Sequence, residues 1–385
     1  MQITRLRLKN WRNFRSVDIP LWLRTYVIGA NAAGKSNLLD VFRFLRTLAQ
    51  TDGGGLQKAV KERGGLGKLR SLHARKDPEV RMEVELADGA GGQWRYALAF
   101  KSEGKGRQRL LVSEERVERR DGEGSWRELL ARPTNDDKKD PSRLTQTYLE
   151  QINNNEKFRE LAQAFSETLY LHLVPQLLKH GDSISTHMLE HDPFGQGLMQ
   201  RIAGTPKRTR EARLSRIEKA LGQAVPLFSQ LRFAQDNVTG LWHLEANFKH
   251  WREHSAWQRE EQFSDGTLRL IGLLWALQEG DGLLLLEEPE LSLNDGIVEY
   301  IPLMIERVLR GAKKPGRQVL ISTHSEALLG CVEDGATVLR IEPDSNGSEV
   351  REPSSEEKQA MAHLTPAEVL LPKTRPQALG QLGLF

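Results

Sequence analysis

The octapeptide Gly29-Ala-Asn-Ala-Ala-Gly34-Lys35-Ser36 constrains this chain more than any other segment. It fits the pattern G-x-x-x-x-G-K-[ST], in which glycines let backbone N–H groups close on phosphate at the start of a helix. Its context agrees. Thr25-Tyr-Val-Ile28 is a short apolar run of the kind that forms a buried strand. Lys35 to Leu48 then carries apolar residues at helical spacing, at Leu38, Leu39, Phe42 and Leu45. Within the loop, Gly29 and Gly34 allow close backbone approach. Lys35 can reach the β- and γ-phosphates of a nucleotide, and the Ser36 hydroxyl can ligate Mg2+.

With 385 residues the chain is long enough for more than one sub-domain. A net charge of +3 means that any nucleic-acid contact must come from a local patch rather than a global field. The lone Cys331 excludes an internal disulfide and a cysteine-based zinc site, and so fits a reducing, cytoplasmic setting. No stretch approaches the length of a membrane helix, and Met1-Gln-Ile-Thr-Arg5 does not open a signal peptide.

Residues 3–9 alternate apolar and polar side chains and predict a strand. The glycines at 53–55 and at 64, 65 and 67 predict a mobile loop. Val80–Ala87, Trp94–Lys101 and Leu110–Val117 alternate between glycine-rich breaks, the pattern of an antiparallel meander. From Pro141 to Ala224 the character becomes helical, with Leu161, Phe165, Leu169 and Leu173 repeating at i, i+4 and Arg213–Leu221 continuing the pattern. Leu231–Gln235 and Leu241–Phe248 flank a turn as a hairpin. A helix over Thr267–Leu277, a strand over Leu283–Leu286, a helix over Asn294–Arg310 and a strand over Gln318–Ser322 complete an α/β lobe. Beyond Asp344 the composition predicts poor order apart from a short helix around Pro366–Leu371.

Leu283–Leu286 runs into Glu287-Glu288-Pro289-Glu290, which places carboxylates at the carboxyl end of a central strand, where α/β sheets hold ligands. Adjacent carboxylates repel, and a metal or another cation relieves them. Glu287 is then the candidate for Mg2+, directly or through water, and Glu288 the candidate to orient and deprotonate an attacking water. Ser264-Asp265-Gly266-Thr267 puts a hydroxyl and a glycine at a helix start, again an anion-receiving arrangement. His324, after the next strand, could hydrogen-bond a γ-phosphate and sense its loss.

The order of these motifs resembles that of the ABC-type ATPases of the RecF/SMC/overcoming-lysogenisation-defect group, over residues 1–50 and 260–345. Leu8-Lys-Asn10-Trp-Arg12-Asn13-Phe14 is similar to the group's first strand. The resemblance implies an α/β fold: an ABC-type P-loop NTPase head with an antiparallel β meander in its N-terminal lobe and a helical insertion. It divides the chain into an N-terminal ATPase lobe over 1–130, the insertion over 131–228, a C-terminal ATPase lobe over 229–345 and a partly disordered tail over 346–385. It implies that Arg12, Asn13, Gly29, Asn31, Gly34, Lys35, Ser36 and Asn37 bind one ATP. Ser264 and Gly266 would close on the γ-phosphate held by a second copy, giving a homodimer with ATP sandwiched at its interface. Ser36 and Glu287 would hold Mg2+, Glu288 would be the catalytic base and His324 the switch. One departure is visible. Relatives with Glu-Glu-Pro-Glu commonly continue to Leu-His-Pro, whereas this chain has Leu293-Asn294-Asp295.

The insertion is too short for an SMC arm and lacks sustained heptads. Too little chain follows His324 for a Toprim nuclease, so the resemblance implies a separate effector protein, a nuclease or toxin. Two roles stand open: a sensor or regulator ATPase in bacterial antiphage defence, and a RecF-like DNA-repair ATPase. Lys207, Arg208, Arg210, Arg213, Arg216 and Lys219 form a basic helical run that could track a phosphate backbone, and a solvated helix face explains it equally well. Gln381, Leu382, Leu384 and Phe385 resemble the peptide that docks bacterial proteins on the β sliding clamp; packing on the chain's own domain is the other reading. His187 with His191, and His250 with His254, have helical spacing but no third metal ligand at useful distance. Trp251 and Trp257 read as core residues.

Overall fold

Uninterrupted apolar runs need cover on both faces, and the central sheet is assembled from such runs. The computed structural model describes residues 1–74, 76–104, 109–184, 192, 194–249, 257–310, 317–332 and 335–374. Strands β1 (Gln2–Trp11) and β2 (Phe14–Pro20) form a hairpin, and β3 (Arg24–Gly29) feeds the glycine loop. After the P-loop helix (Lys35–Ala49) come β4 (Val80–Ala87), β5 (Gly92–Ser102), β6 (Leu110–Asp121) and β7 (Arg127–Arg132). The second half supplies β8 (Leu169–Leu171), β9 (Phe228–Gln235), β10 (Trp242–Phe248), β11 (Gln258–Arg259) and β12 (Leu284–Glu287), then β13 (Val319–Ser322), β14 (Thr337–Asp344) and β15 (Gly347–Arg351).

Three sheets result. An antiparallel sheet has the order β2-β1-β4-β5-β6-β7, a small one runs β11-β10-β9, and the central sheet runs β15-β14-β3-β13-β12-β8. The central strands are parallel except for the β14–β15 hairpin. Alternation along them sorts the core into two faces. Val27, Leu285, Leu320 and Leu339 face the P-loop helix and the antiparallel sheet. Tyr26, Ile28, Leu284, Leu286, Val319 and Ile321 face the opposite layer, where the signature helix (Asp265–Gln278) lies. The P-loop helix is thus packed between two sheets. Its Phe44 meets the Trp11 ring edge-on at 5.3 Å and stacks on Phe100 at 5.7 Å. The helix that must present its N-terminus to phosphate is therefore fixed by aromatic packing at Phe44, in its second half.

The expected meander is present and gains a fourth member, β7, while β1 and β2 extend its sheet. Four expectations are corrected. Leu169 and Leu173 do not continue a helix: the helix stops at Ser166, and Leu169–Leu171 forms β8, paired in parallel with β12. Short apolar runs fit both periods, and here the open edge of β12 decides. The stretch 131–228 is accordingly not wholly helical. The glycine-rich region holds two short helices, Leu56–Glu62 and Leu66–Leu69, with Gly55 and Gly65 at positive φ as their start points. The helix over 294–310 is two, Asp295–Val298 and Ile301–Arg310, split just before Pro302, a residue that suits a first helical turn and not an interior. Residues 347–374 are folded rather than poorly ordered, as β15, the helices Ser355–Ala360 and Pro366–Leu370, and a final 3-10 turn. No described helix is long and apolar enough to cross a membrane.

At the end of β7, the side chain of Arg132 is fully buried. It donates to Glu115 at 3.1 Å and bidentately to Asp137 at 2.9 and 3.0 Å. Glu115 also accepts the N–H groups of Tyr148 (2.7 Å) and Leu149 (3.0 Å). Arg132→Met would strand two buried carboxylates, and urea denaturation should show a loss of about 3–5 kcal/mol.

Candidate nucleotide site

Gly29 ends β3 beneath the loop, where a Cβ would stand 2.7 Å from the carbonyl oxygen of Ile341. Gly34 precedes the P-loop helix at φ +114°, a conformation that favours glycine, and no side chain caps the helix. The N–H groups of its first turn therefore remain available to an anion. Asn13 braces the loop from behind: its Nδ2 donates to the Ala33 carbonyl (2.6 Å) and to Ser348 Oγ (2.8 Å), while Asn37 Nδ2 donates to its Oδ1 (2.7 Å). Arg12 is engaged elsewhere. Its guanidinium bonds Asp40 at 2.6 and 3.0 Å, opposite Arg63 at 2.8 Å. Burial opposes ionisation of Asp40, but Arg63 and Arg12 prevail and hold it below the usual carboxylate range.

Lys35 is buried and folds back on its own loop, with Nζ 3.1 Å from the Gly29 carbonyl and 3.3 Å from that of Ala30. Burial pushes its pKa down, against the pull of Glu288, Glu287 and Glu290. Asn31 and Ser36 are exposed. Ser36 Oγ donates to Glu287 Oε1, and the Tyr170 hydroxyl donates to Glu287 Oε2 at 2.5 Å. His172 Nδ1 lies 3.2 Å from the Glu287 carbonyl oxygen.

Glu288 follows at φ +46°, off the strand's path, with its N–H on the Ser322 carbonyl at 2.9 Å. A non-glycine residue held there costs about 1–3 kcal/mol, a cost that recurs at functional sites. His324 Nε2 is 3.3 Å from Glu288 Oε1. Burial lowers the His324 pKa, with Lys35 adding to the effect and Glu288 opposing it, so the imidazole is neutral at pH 7. Glu290 is half-buried, accepts from Thr323 Oγ1 (2.5 Å) and the His324 N–H (3.2 Å), and has its pKa raised by desolvation. Its Oε2 has no partner.

Ser264 caps the signature helix, accepting from the Thr267 N–H at 3.1 Å. Asp265 is held by Lys179 (2.7 Å) and Gln176 (2.8 Å), so the segment after β8 reaches from Glu287 to the signature helix. Gly266 lies under the loop that follows the acidic strand: a Cβ there would be 2.7 Å from the Ser292 carbonyl oxygen. One turn on, Arg269 is buried with Nε and Nη1 unpaired. Among the described residues no hydrogen bond joins Ser264 or Gly266 to the P-loop.

Within one chain, then, the fold brings together Lys35, Ser36, Glu287, Glu288 and His324, with Asn13 and Asn37 behind. It leaves Arg12 on Asp40 and Ser264 and Gly266 on a separate helix start. Glu290 stood in the acidic run without a role of its own, and Tyr170 and His172 are the participants that sequence reasoning missed. The Leu169-Tyr-Leu-His alternation was their one signal. The oxygen donors Ser36 and Glu287 suit Mg2+, and no group of three acid, histidine or cysteine side chains among the described residues could hold a metal alone. An ion here needs phosphate oxygens to complete its shell, as Mg2+ at nucleotide sites does.

In the basic helix (Lys207–Ala224), Arg210 lies over Phe233 (5.4 Å) and Trp242 (5.1 Å), and Arg213 lies over Trp275 (5.3 Å). Lys207, Arg208, Arg216 and Lys219 are exposed. Trp257 is half-buried under Arg232, at 3.9 Å. The histidines 187, 191, 250 and 254, Trp251 and the peptide 381–385 lie outside the described residues.

A glycine loop, an acidic strand end and a strand-end histidine on one parallel sheet define a P-loop ATPase of the ABC type. Residues 24–330 match the family described as "AAA domain, putative AbiEii toxin, Type IV TA system", and the chain belongs to that family. It is an ATP-hydrolysing enzyme of the AAA/ABC class. No curated protein matches the chain. Among solved structures it is similar to an SMC head bound to the C-winged helix domain of ScpA, with TM-score 0.57 and 16% identity over 93% of this chain and 100% of that one. It is also similar to the Pyrococcus furiosus Smc head domain with an extended coiled coil, bound to the C-terminal domain of ScpA, with TM-score 0.51 and 14% identity over 94% and 98%. These likenesses show the fold.

Gly266→Ala would force the loop at Ser292 off the signature helix. Denaturation should register a loss of about 1–3 kcal/mol, the range for overpacking.

Proposed function

We propose that the chain is an ATP-driven switch in which two copies close on two nucleotides and part on hydrolysis. The observation that carries the reading is the meeting of Ser36 with Glu287 beside the Glu288–His324 pair, at the end of the sheet that Lys35 overhangs. When ATP enters, Lys35 exchanges the carbonyls of Gly29 and Ala30 for the β- and γ-phosphates, and the uncapped N–H groups after Gly34 take the remaining charge. Asn13 and Asn37 keep the loop from yielding, Asn31 lies at its open side, and Arg12 supports it through Asp40. Ser36 and Glu287 would hold Mg2+, which when bound neutralises phosphate charge. Glu288 accepts the proton of the attacking water. Neutral His324 orients Glu288 and registers the γ-phosphate. Ser264 and Gly266, free of their own P-loop, complete the site of the second copy.

The family description names a toxin and a type IV toxin–antitoxin system. That supports a regulatory ATPase in bacterial antiphage defence, acting on a separate effector protein. The four exposed cations of the basic helix favour a second reading, a DNA-binding repair ATPase.

Glu288→Gln should lower kcat by about 10²–10⁴-fold, the contribution of a general base, and leave an ATP-bound dimer detectable by light scattering. A variant that turns over normally, or stays monomeric with ATP, would falsify the mechanism. If the second reading holds, duplex DNA stimulates turnover, and charge reversal at Arg208, Arg216 and Lys219 removes the stimulation and flattens its salt dependence. Turnover indifferent to DNA rules that reading out.

A further inference from the structure

Glu287 offers two oxygens, and Ser36 takes only one of them. The other accepts the Tyr170 hydroxyl at 2.5 Å. The pleat puts both side chains on one face of the sheet. Tyr170 pairs with Leu285 in parallel register, paired residues share a face, and Glu287, two residues on from Leu285, shares it too. The tyrosine is 8% exposed, and the Arg43 guanidinium, two turns into the P-loop helix, covers its ring at 4.2 Å. Backbone pairing and a stacked cation therefore leave the ring little freedom. A hydroxyl donating to an ionised carboxylate is among the stronger hydrogen bonds.

We propose that Tyr170 is a positioning residue for Mg2+, an inference that rests on the ATPase reading above. It anchors Oε2 of Glu287 so that Oε1 already faces the Ser36 hydroxyl before nucleotide arrives, presetting the protein's half of the ion's shell. Repulsion from Glu288 and Glu290 would otherwise turn this carboxylate away. Fixing a ligand through its second oxygen is how outer-shell groups tune metal sites.

The test is Tyr170→Phe, read by Mg2+ titration of fluorescent ATP-analogue binding in the full chain. The Mg2+ concentration for half-maximal tightening should rise about tenfold, the low end for loss of an outer-shell partner. Analogue affinity in EDTA and the melting temperature should match wild type. In a Glu287→Ala background the same substitution should add nothing. Wild-type Mg2+ dependence in Tyr170→Phe, or an equal loss in the Glu287→Ala background, would overturn the proposal while leaving the ATPase reading intact. Wild-type chain showing no Mg2+-dependent nucleotide binding would remove both. Should the phenylalanine variant melt early, Arg43→Met carries the test. A roughly threefold shift, matching loss of one cation–π contact, supports the proposal, and an unchanged Mg2+ dependence overturns it.

Discussion

The carboxyl edge of the central sheet depends on one carboxylate held between two hydroxyls. Glu287 joins the first turn of the P-loop helix to β12 through Ser36, and joins β12 to β8 through Tyr170. Three glutamates crowd this edge, and their mutual repulsion must be relieved. Burial inclines Glu290 toward its neutral form. Glu288 leans on His324, and the glutamates sustain the charges of Lys35 and of buried Arg269.

The P-loop helix shows how packing turns a motif into a site. Its register is set far from phosphate, where Phe44 lies between Trp11 and Phe100. The Trp11 indole N–H also donates to the Asn37 carbonyl at 2.9 Å, tying β1 to the helix's first turn. Glycines at 29 and 34 then let neighbouring groups come closer than any side chain would permit.

Much of this was legible in the sequence, for stated reasons. Gly34-Lys35-Ser36, the Leu283–Leu286 run with its acids, and Ser264-Asp265-Gly266-Thr267 are local patterns whose chemistry fixes their conformation. The meander was readable because alternation is clean over the eight residues of β4 and glycine-rich breaks bound the strands that follow. What could not be read depends on distant neighbours. Leu169-Tyr-Leu171 fits a helix and a strand alike, and only the edge of β12 selects the strand. The pairing of Arg12 with Asp40, opposite Arg63, likewise joins residues distant in the chain. The polar composition of 347–374 hides capping boxes at Ser354 and Thr365 and a hairpin against β14, each of which orders a segment with few apolar residues.

Asn13, which steadies the phosphate loop, is itself held by Ser348, and Ile3 is held by Gln318. These bonds span separations of 335 and 315 residues. Contacts so remote cannot form while most of the chain is unmade, and loops that long slow folding. During synthesis the nascent chain therefore carries its complete glycine motif without the brace that shapes it. The brace on the phosphate loop is completed only when β15 has left the ribosome and settled on β14.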